Sequence, residues 1–233
     1  MGKINVLNKE TAELIAAGEV IERPASVIKE LVENSVDAGA STVTVEIRNG
    51  GIRFVRVSDN GSGIAFDDVR RAFLRHATSK LFSPDDLNNI HTLGFRGEAL
   101  ASISAVARVE MTTKQAADDF GTLYQIEGGE EITIEQCGCA NGTTIIIKDL
   151  FFNTPARLKF LKKDISEANT VETLMTRLAL ANPQVSFRFI RDNKQAFVTP
   201  GDGDYYSAIY AIYGKQLAAS LIPVENIYNN YTF

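Results

Sequence analysis

The chain has 233 residues, 45% hydrophobic and 23% charged, an ordinary globular balance with enough apolar residues for a sizeable core. Its 24 basic and 29 acidic residues leave a net charge of −5, so it is no bulk polycation, and any surface for nucleic acid has to be a local patch. No apolar run reaches the roughly eighteen residues that a membrane-spanning helix needs.

Lys9, Glu10 and Glu13 interrupt the apolar residues of the N-terminus, so no signal peptide is read there. Residues 9–22 alternate apolar and acidic groups at helical spacing, with Gly18 as the weak point. "ERPASVIKELVENSVDAGA" predicts a stronger helix. Pro24 suits its first turn, Val27, Ile28, Leu31 and Val32 form its apolar stripe, and Gly39 stops it. Glu30 and Asn34 stand one turn apart on the same face, with no basic partner read beside them. "TVTVEIRNGGIRFVRVSD" predicts a hairpin turning at "NGG", and "AFDDVRRAFLRHATSK" carries a helix. Residues 76–98 lack a regular pattern, as a lid or binding loop does.

"EALASISAVA" resumes as a helix, followed by strands near 106–114, 121–127, 131–137 and 143–149. "LFFNTPARLKFLKK" reads as a loop leading to a helix over about 164–182, and "VSFRFIRD" with "QAFVT" as a second hairpin. "PGDGD" at 200–204 is the linker candidate, and residues 201–233, with one helix in "YYSAIYAIYG", are too few to bury a core of their own. Cys137 and Cys139 are too close together for a disulfide framework, and a zinc site would have to draw on His76 and His91; the thiols read as part of a surface hairpin in the reducing cytoplasm. Arg157, Lys159, Lys162 and Lys163 form a basic run that could meet DNA phosphates, but a solvated helix face accounts for it better.

Three separated segments carry chemistry. The first is the Glu30–Asn34 face. The second is "SDNGSGI", where Asp59 ends a strand and Gly61 and Gly63 permit close backbone approach to a ligand. The third is "GFRGEALASIS", where Gly94 and Gly97 precede a helix start whose free N–H groups suit an anion such as phosphate. Singly, these are a common turn, a common cap and a common solvated face. Neither the P-loop nor the dinucleotide fingerprint is present.

Together, "ELVENSVDAGA", "DNGSGI", "RHATSK", "GFRGEALASIS" and "GTTIIIKDLFFNTPAR" closely resemble the MutL family of bacterial DNA mismatch repair proteins, from about residue 3 to at least 182. The wider resemblance is to the ATPases shared by gyrase-class topoisomerases, the ninety-kilodalton heat-shock chaperones and histidine kinases. It implies an α+β fold, a two-layer sandwich of a mixed sheet with helices on one face. ATP would lie between the layers under a mobile lid at 76–98, within an ATP-binding domain at 1–200, and 201–233 would begin a truncated second domain.

By the same resemblance Glu30 is the general base, Asn34 binds Mg²⁺ through its amide oxygen, and Asp59 accepts a hydrogen bond from the adenine amino group. Glu33 and Asp37 fall on another face without a role. Gly61 and Gly63 pass close to base and sugar, and Thr143 lies near the adenine end. Gly94, Phe95, Arg96 and Gly97 present N–H groups to the phosphates, with Thr78, Ser79 and Lys80 as further candidates. Residues 1–20 would pack across a partner subunit in an ATP-bound homodimer. The implied function is mismatch repair: slow Mg²⁺-dependent ATP hydrolysis and dimer closure would link a MutS-like recognition protein to downstream repair enzymes. DNA would be held mainly by the second domain, which also brings a lysine to the γ-phosphate; no membrane partner is implied. A nucleotide-gated interaction module with little hydrolysis is the alternative. A histidine kinase would need a phospho-accepting helix, which is not found, and "GFRGEALASIS" speaks against a topoisomerase fragment.

Overall fold

A computed structural model describes residues 17, 20–80, 92–94, 97–222, 227–228 and 231–232. Phe95, Arg96, His91, the central part of the expected lid, most of the expected helix at 9–22 and nearly all of the N-terminal segment 1–20 lie outside them.

The strands are β1 Thr42–Arg48, β2 Phe54–Asp59, β3 Arg108–Lys114, β4 Gly121–Glu127, β5 Glu130–Cys137, β6 Gly142–Lys148, β7 Ser186–Arg191 and β8 Lys194–Val198. They form one eight-stranded mixed sheet in the order β5-β4-β3-β6-β2-β1-β7-β8. Only β1 and β7 run parallel; the other neighbours are antiparallel. A short ribbon, β9 Ile227–Tyr228 with β10 Tyr231–Thr232, stands apart from it.

Strand alternation sorts the two faces. Val43, Val45 and Ile47 of β1, Val55 and Val57 of β2, and Ile145 and Ile147 of β6 point into the buried core. The opposite face carries polar rows, such as Glu46 paired across the strands with Arg56. The Glu46 carboxylate lies 2.8 Å from both Arg48 and Arg56, which cover it.

The helices are α1 Pro24–Asp37, α2 Phe66–Ala72, α3 Ala99–Val106, α4 Pro155–Phe160, α5 Asp164–Ala181, α6 Tyr205–Tyr213 and α7 Lys215–Ala218. Helix α1 buries Val27, Ile28, Leu31 and Val32 in the core, a contribution of about 1.5–3 kcal/mol for each large side chain. Its first turn is held from outside: Arg23 donates to the fully buried Glu167 of α5 at 3.1 Å. At its far end Gly39, with φ 73°, returns an N–H to the Val36 carbonyl.

Helix α4 corrects one expectation. The stretch read as a loop contains a short helix, because Pro155 sits at its first position, where a missing N–H costs nothing. Helix α2 ends at Ala72, inside the 65–80 stretch expected to carry a helix. At the end of the "PGDGD" stretch, Asp204 caps α6 by accepting the N–H groups of Tyr206 and Ser207 at 3.1 and 3.0 Å. Helix α6 packs on α5 and β8 through the buried Ala208 and leaves Tyr205, Tyr206, Tyr210 and Tyr213 exposed.

Candidate functional site

One cavity of about 1350 Å3 opens between α1, the ends of β2 and β6, and the stretches 62–65, 76–80, 92–94 and 97–100. It exceeds the roughly 300–1,000 Å3 of common small-molecule pockets. Glu30, Asn34 and Asp59 all line it, as do Gly63, Thr78, Ser79, Lys80, Gly94, Gly97 and Thr143. Gly61 does not. Its N–H donates to Asp59 Oδ1 at 2.9 Å, and a side chain there would meet Ala38 at the end of α1. In this position it braces Asp59.

Asp59 is the best-held group. Ser35 Oγ reaches its Oδ2 at 2.8 Å, and the N–H groups of Gly61 and Thr143 reach its Oδ1 at 2.9 and 3.2 Å. Asp59 and Thr143 also pair across β2 and β6, so two central strands end together at the cavity. The Thr143 hydroxyl lies 2.9 Å from that of Thr113, which accepts the N–H of Ile64 at 2.9 Å. Ser62 N–H bonds the Ala38 carbonyl at 3.0 Å, fastening the "DNGSGI" turn to α1. Gly63 has φ 71°, and a side chain there would strike the Lys114 carbonyl, so this close passage requires glycine.

The polar face of α1 departs from the sequence reading in two ways. Basic partners are present: Lys29 lies 3.6 Å from Glu30 and 2.9 Å from Glu33. Burial pulls the Lys29 ammonium down, but its bond to Glu33 and the charges of Glu33 and Glu30 outweigh this and hold it above the usual lysine range. Glu33 and Asp37 are also not on a remote face, since both line the cavity. Asp37 follows Asn34 by three residues and Glu30 by seven, which puts all three on one helix stripe.

Asp37 gathers what the sequence left scattered. Its Oδ1 accepts the N–H of Leu93 at 3.0 Å, and its Oδ2 takes the N–H of Gly94 at 3.2 Å and the Lys80 ammonium at 2.6 Å. Lys80 also donates to Asn34 Oδ1 at 3.0 Å. The amide oxygen read as a metal ligand thus already faces a cation, so its direction and chemistry fit a divalent metal. Among the described residues, no group of three or more His, Cys, Asp or Glu is placed to hold a metal by itself. His76, with φ 61°, lies at the cavity rim with Nδ1 3.4 Å from Glu98.

Ser35 and Asp37 are the residues the sequence reading missed. Ser35 carried a signal: a hydroxyl on the apolar stripe, one turn after Leu31. For Asp37 the signal was its spacing from Asn34.

The fold and this cavity define a class. Residues 21–128 match the family of histidine kinase-, DNA gyrase B-, and HSP90-like ATPases. Within that class the chain belongs to the MutL family of DNA mismatch repair proteins. It is similar to the Aquifex aeolicus MutL ATPase domain complexed with ADP, at 32% identity and TM-score 0.66, covering 83% of this chain and 70% of that one. The N-terminal domain of a DNA repair protein is similar too, at 25% identity and TM-score 0.78, with 92% of this chain and 64% of that one covered. The MutL proteins of Agathobacter rectalis and Caldanaerobacter subterraneus are each 51% identical to it over 97% and 95% of its length. The chain spans 35% and 38% of those two relatives. Its mixed eight-stranded sheet with packed helices agrees with the expected α+β fold.

Proposed function

We propose that this chain is the ATP-binding and hydrolysing region of a DNA mismatch repair protein, and that residues 201–233 begin a second domain. The observation that supports this most is the convergence of Glu30, Asn34 and Asp59 on one large cavity, from two elements joined by the Ser35–Asp59 hydrogen bond. The family membership supports it independently, since a MutL relative of the same fold is one complexed with ADP.

In this reading Asp59 selects adenine. Its carboxylate is fixed by three donors and can accept from an exocyclic amino group, whereas guanine would set a carbonyl against it. Glu30 stands one turn before Asn34 on a rigid helix and takes the proton of the attacking water. Asn34, with Lys80 beside it, faces the phosphate end. Mg²⁺ held on Asn34 Oδ1 would supply charge neutralisation at the phosphates. Thr78, Ser79, Lys80 and the N–H groups near Gly94 and Gly97 would hold phosphate oxygens. In the full-length protein, closure of a homodimer would relay mismatch recognition to DNA-bound repair partners in the cytoplasm. Among the described residues no helix is long and apolar enough to cross a membrane.

Calorimetric titration with a non-hydrolysable ATP analogue, with and without Mg²⁺, tests the core of this. Metal-strengthened binding is the expected result, and no binding in either condition defeats the reading. Nucleotide-dependent dimerisation without single-turnover hydrolysis would favour the alternative of an interaction module.

A further inference from the structure

The cleft contains a positive charge of its own. The Lys80 ammonium rests between Asn34 Oδ1 and Asp37 Oδ2, and the Lys80 and Asp37 side chains are only 18% and 8% exposed. Gly94 lies directly above: a Cβ there would come within 3.4 Å of Lys80 Nζ and 3.7 Å of Asn34 Oδ1. Asp37 therefore grips two separate stretches of backbone, one through Lys80 and one through the N–H groups of Leu93 and Gly94. A half-exposed surface ion pair would be worth little. This one is sheltered, short and shared among three donors, which is the situation in which a charged hydrogen bond is strong.

We propose that Asp37 is a positioning residue that docks Lys80 on the Asn34 oxygen in the nucleotide-free protein. Lys80 then holds the place of the divalent cation and moves off it when metal and nucleotide bind. The proposal rests on the nucleotide reading above. Two positive charges a few ångströms apart on one amide oxygen repel, so ammonium and metal are alternatives there. A lysine suits such an exchange, because its ammonium is a compact point charge on a flexible stem and can follow the phosphates. Asp37 gives up its charged partner in that exchange and is left with the N–H donors of Leu93 and Gly94. The Asp37 carboxylate is thus paired with a cation before loading, and its pairing changes on loading.

Two measurements test this. The first is acylation of lysines by acetic anhydride in the nucleotide-free protein, read by mass spectrometry. Lys80 should react about tenfold more slowly than the exposed Lys162 and Lys163, and Asp37→Asn should bring it close to their rate. Equal reactivity in the unaltered protein overturns the docking. A general rise at all lysines, with a lowered melting temperature, assigns Asp37 a merely structural role and also overturns it. The second is calorimetry with the ATP analogue on Lys80→Met. Without metal, Lys80 supplies the missing charge, so its loss should weaken chelator-treated binding by about ten- to a hundredfold, and Mg²⁺-supported binding by clearly less. An unchanged ratio of the two affinities overturns the exchange while leaving the nucleotide site intact. Absence of binding by the unaltered protein in both conditions overturns the nucleotide reading and the exchange with it.

Discussion

Asp59→Asn separates recognition from folding at this site. The carboxylate takes three hydrogen bonds, from Ser35 Oγ at 2.8 Å and from the N–H groups of Gly61 and Thr143 at 2.9 and 3.2 Å. An asparagine keeps the shape and one oxygen. That oxygen can stay at the Oδ1 position and retain both N–H donors. The new NH₂ then faces Ser35 Oγ, whose proton turns to the Leu31 carbonyl, already 3.1 Å away. No buried donor is orphaned, so the loss is the difference between charged and neutral hydrogen bonds, about 1–2 kcal/mol in total. For a chain of this size that lowers the melting temperature by about 2–8 °C. Recognition suffers more, because the NH₂ now meets the adenine amino group donor to donor. Removing a bond to a charged acceptor weakens binding by about ten- to a hundredfold. Calorimetry with the ATP analogue, beside a thermal melt, reads both quantities. An Asp59→Asn protein that melts a few degrees early yet binds within threefold of the original would refute the assignment of Asp59 to the base.

Three further outcomes are expected. In the full-length protein, Glu30→Ala should still bind the ATP analogue while single-turnover hydrolysis falls by about 10²–10⁴, and unchanged turnover removes Glu30 from the mechanism. Burial, then the charge and hydrogen bond of Glu131, push the Tyr124 hydroxyl up to about 12. A raised tyrosine leaves stability intact below the unfolded value near 10 and erodes it as pH rises from there through about 12, at about 1.4 kcal/mol per pH unit. Denaturation at pH 9 and 11 should therefore show a loss that Tyr124→Phe reduces; an equal loss in both proteins contradicts this. Gly97→Ala forces a side chain onto φ 62° and within 2.5 Å of the Ala77 carbonyl, so the 77–97 contact must open. Analogue affinity should drop while the melting temperature of the sheet core barely moves, and undiminished affinity would show that this turn does not shape the cleft.

The elements themselves were readable because each has a pattern the chain cannot hide. Val43, Val45 and Ile47 alternate, and Val27, Ile28, Leu31 and Val32 recur at helical spacing. Their arrangement was not. Alternation says which face a residue takes, not which strand lies alongside, so neither the β2–β6 pairing nor the parallel β1–β7 pair could be read from it. Helix α4 is not legible in the sequence, because a proline reads as a loop residue although Pro155 begins a helix.

At the site, the roles of Glu30, Asn34 and Asp59 came from family likeness, not from spacing alone. The partners of these residues come from distant segments. Lys80 meets Asn34 across 46 residues, and Ser35 meets Asp59 across 24, contacts that no local periodicity encodes. Lys29 is local by contrast: its spacing to Glu33 is an ordinary i,i+4 pair, and it stands beside Glu30 as well.

The pairing of β2 with β6 also bears on how the protein is made. The strand ending at Asp59 finds its partner 84 residues later in Thr143, and β1 waits longer still for β7. Closing so long a span has to precede its reward, which slows folding. A nascent chain emerging from the ribosome therefore carries α1 and the β1–β2 hairpin with one flank bare until the later strands are synthesised. The pocket cannot close before β6 is made, and a pause or truncation before residue 142 would leave a half-sheet exposed to aggregation rather than a weaker binder.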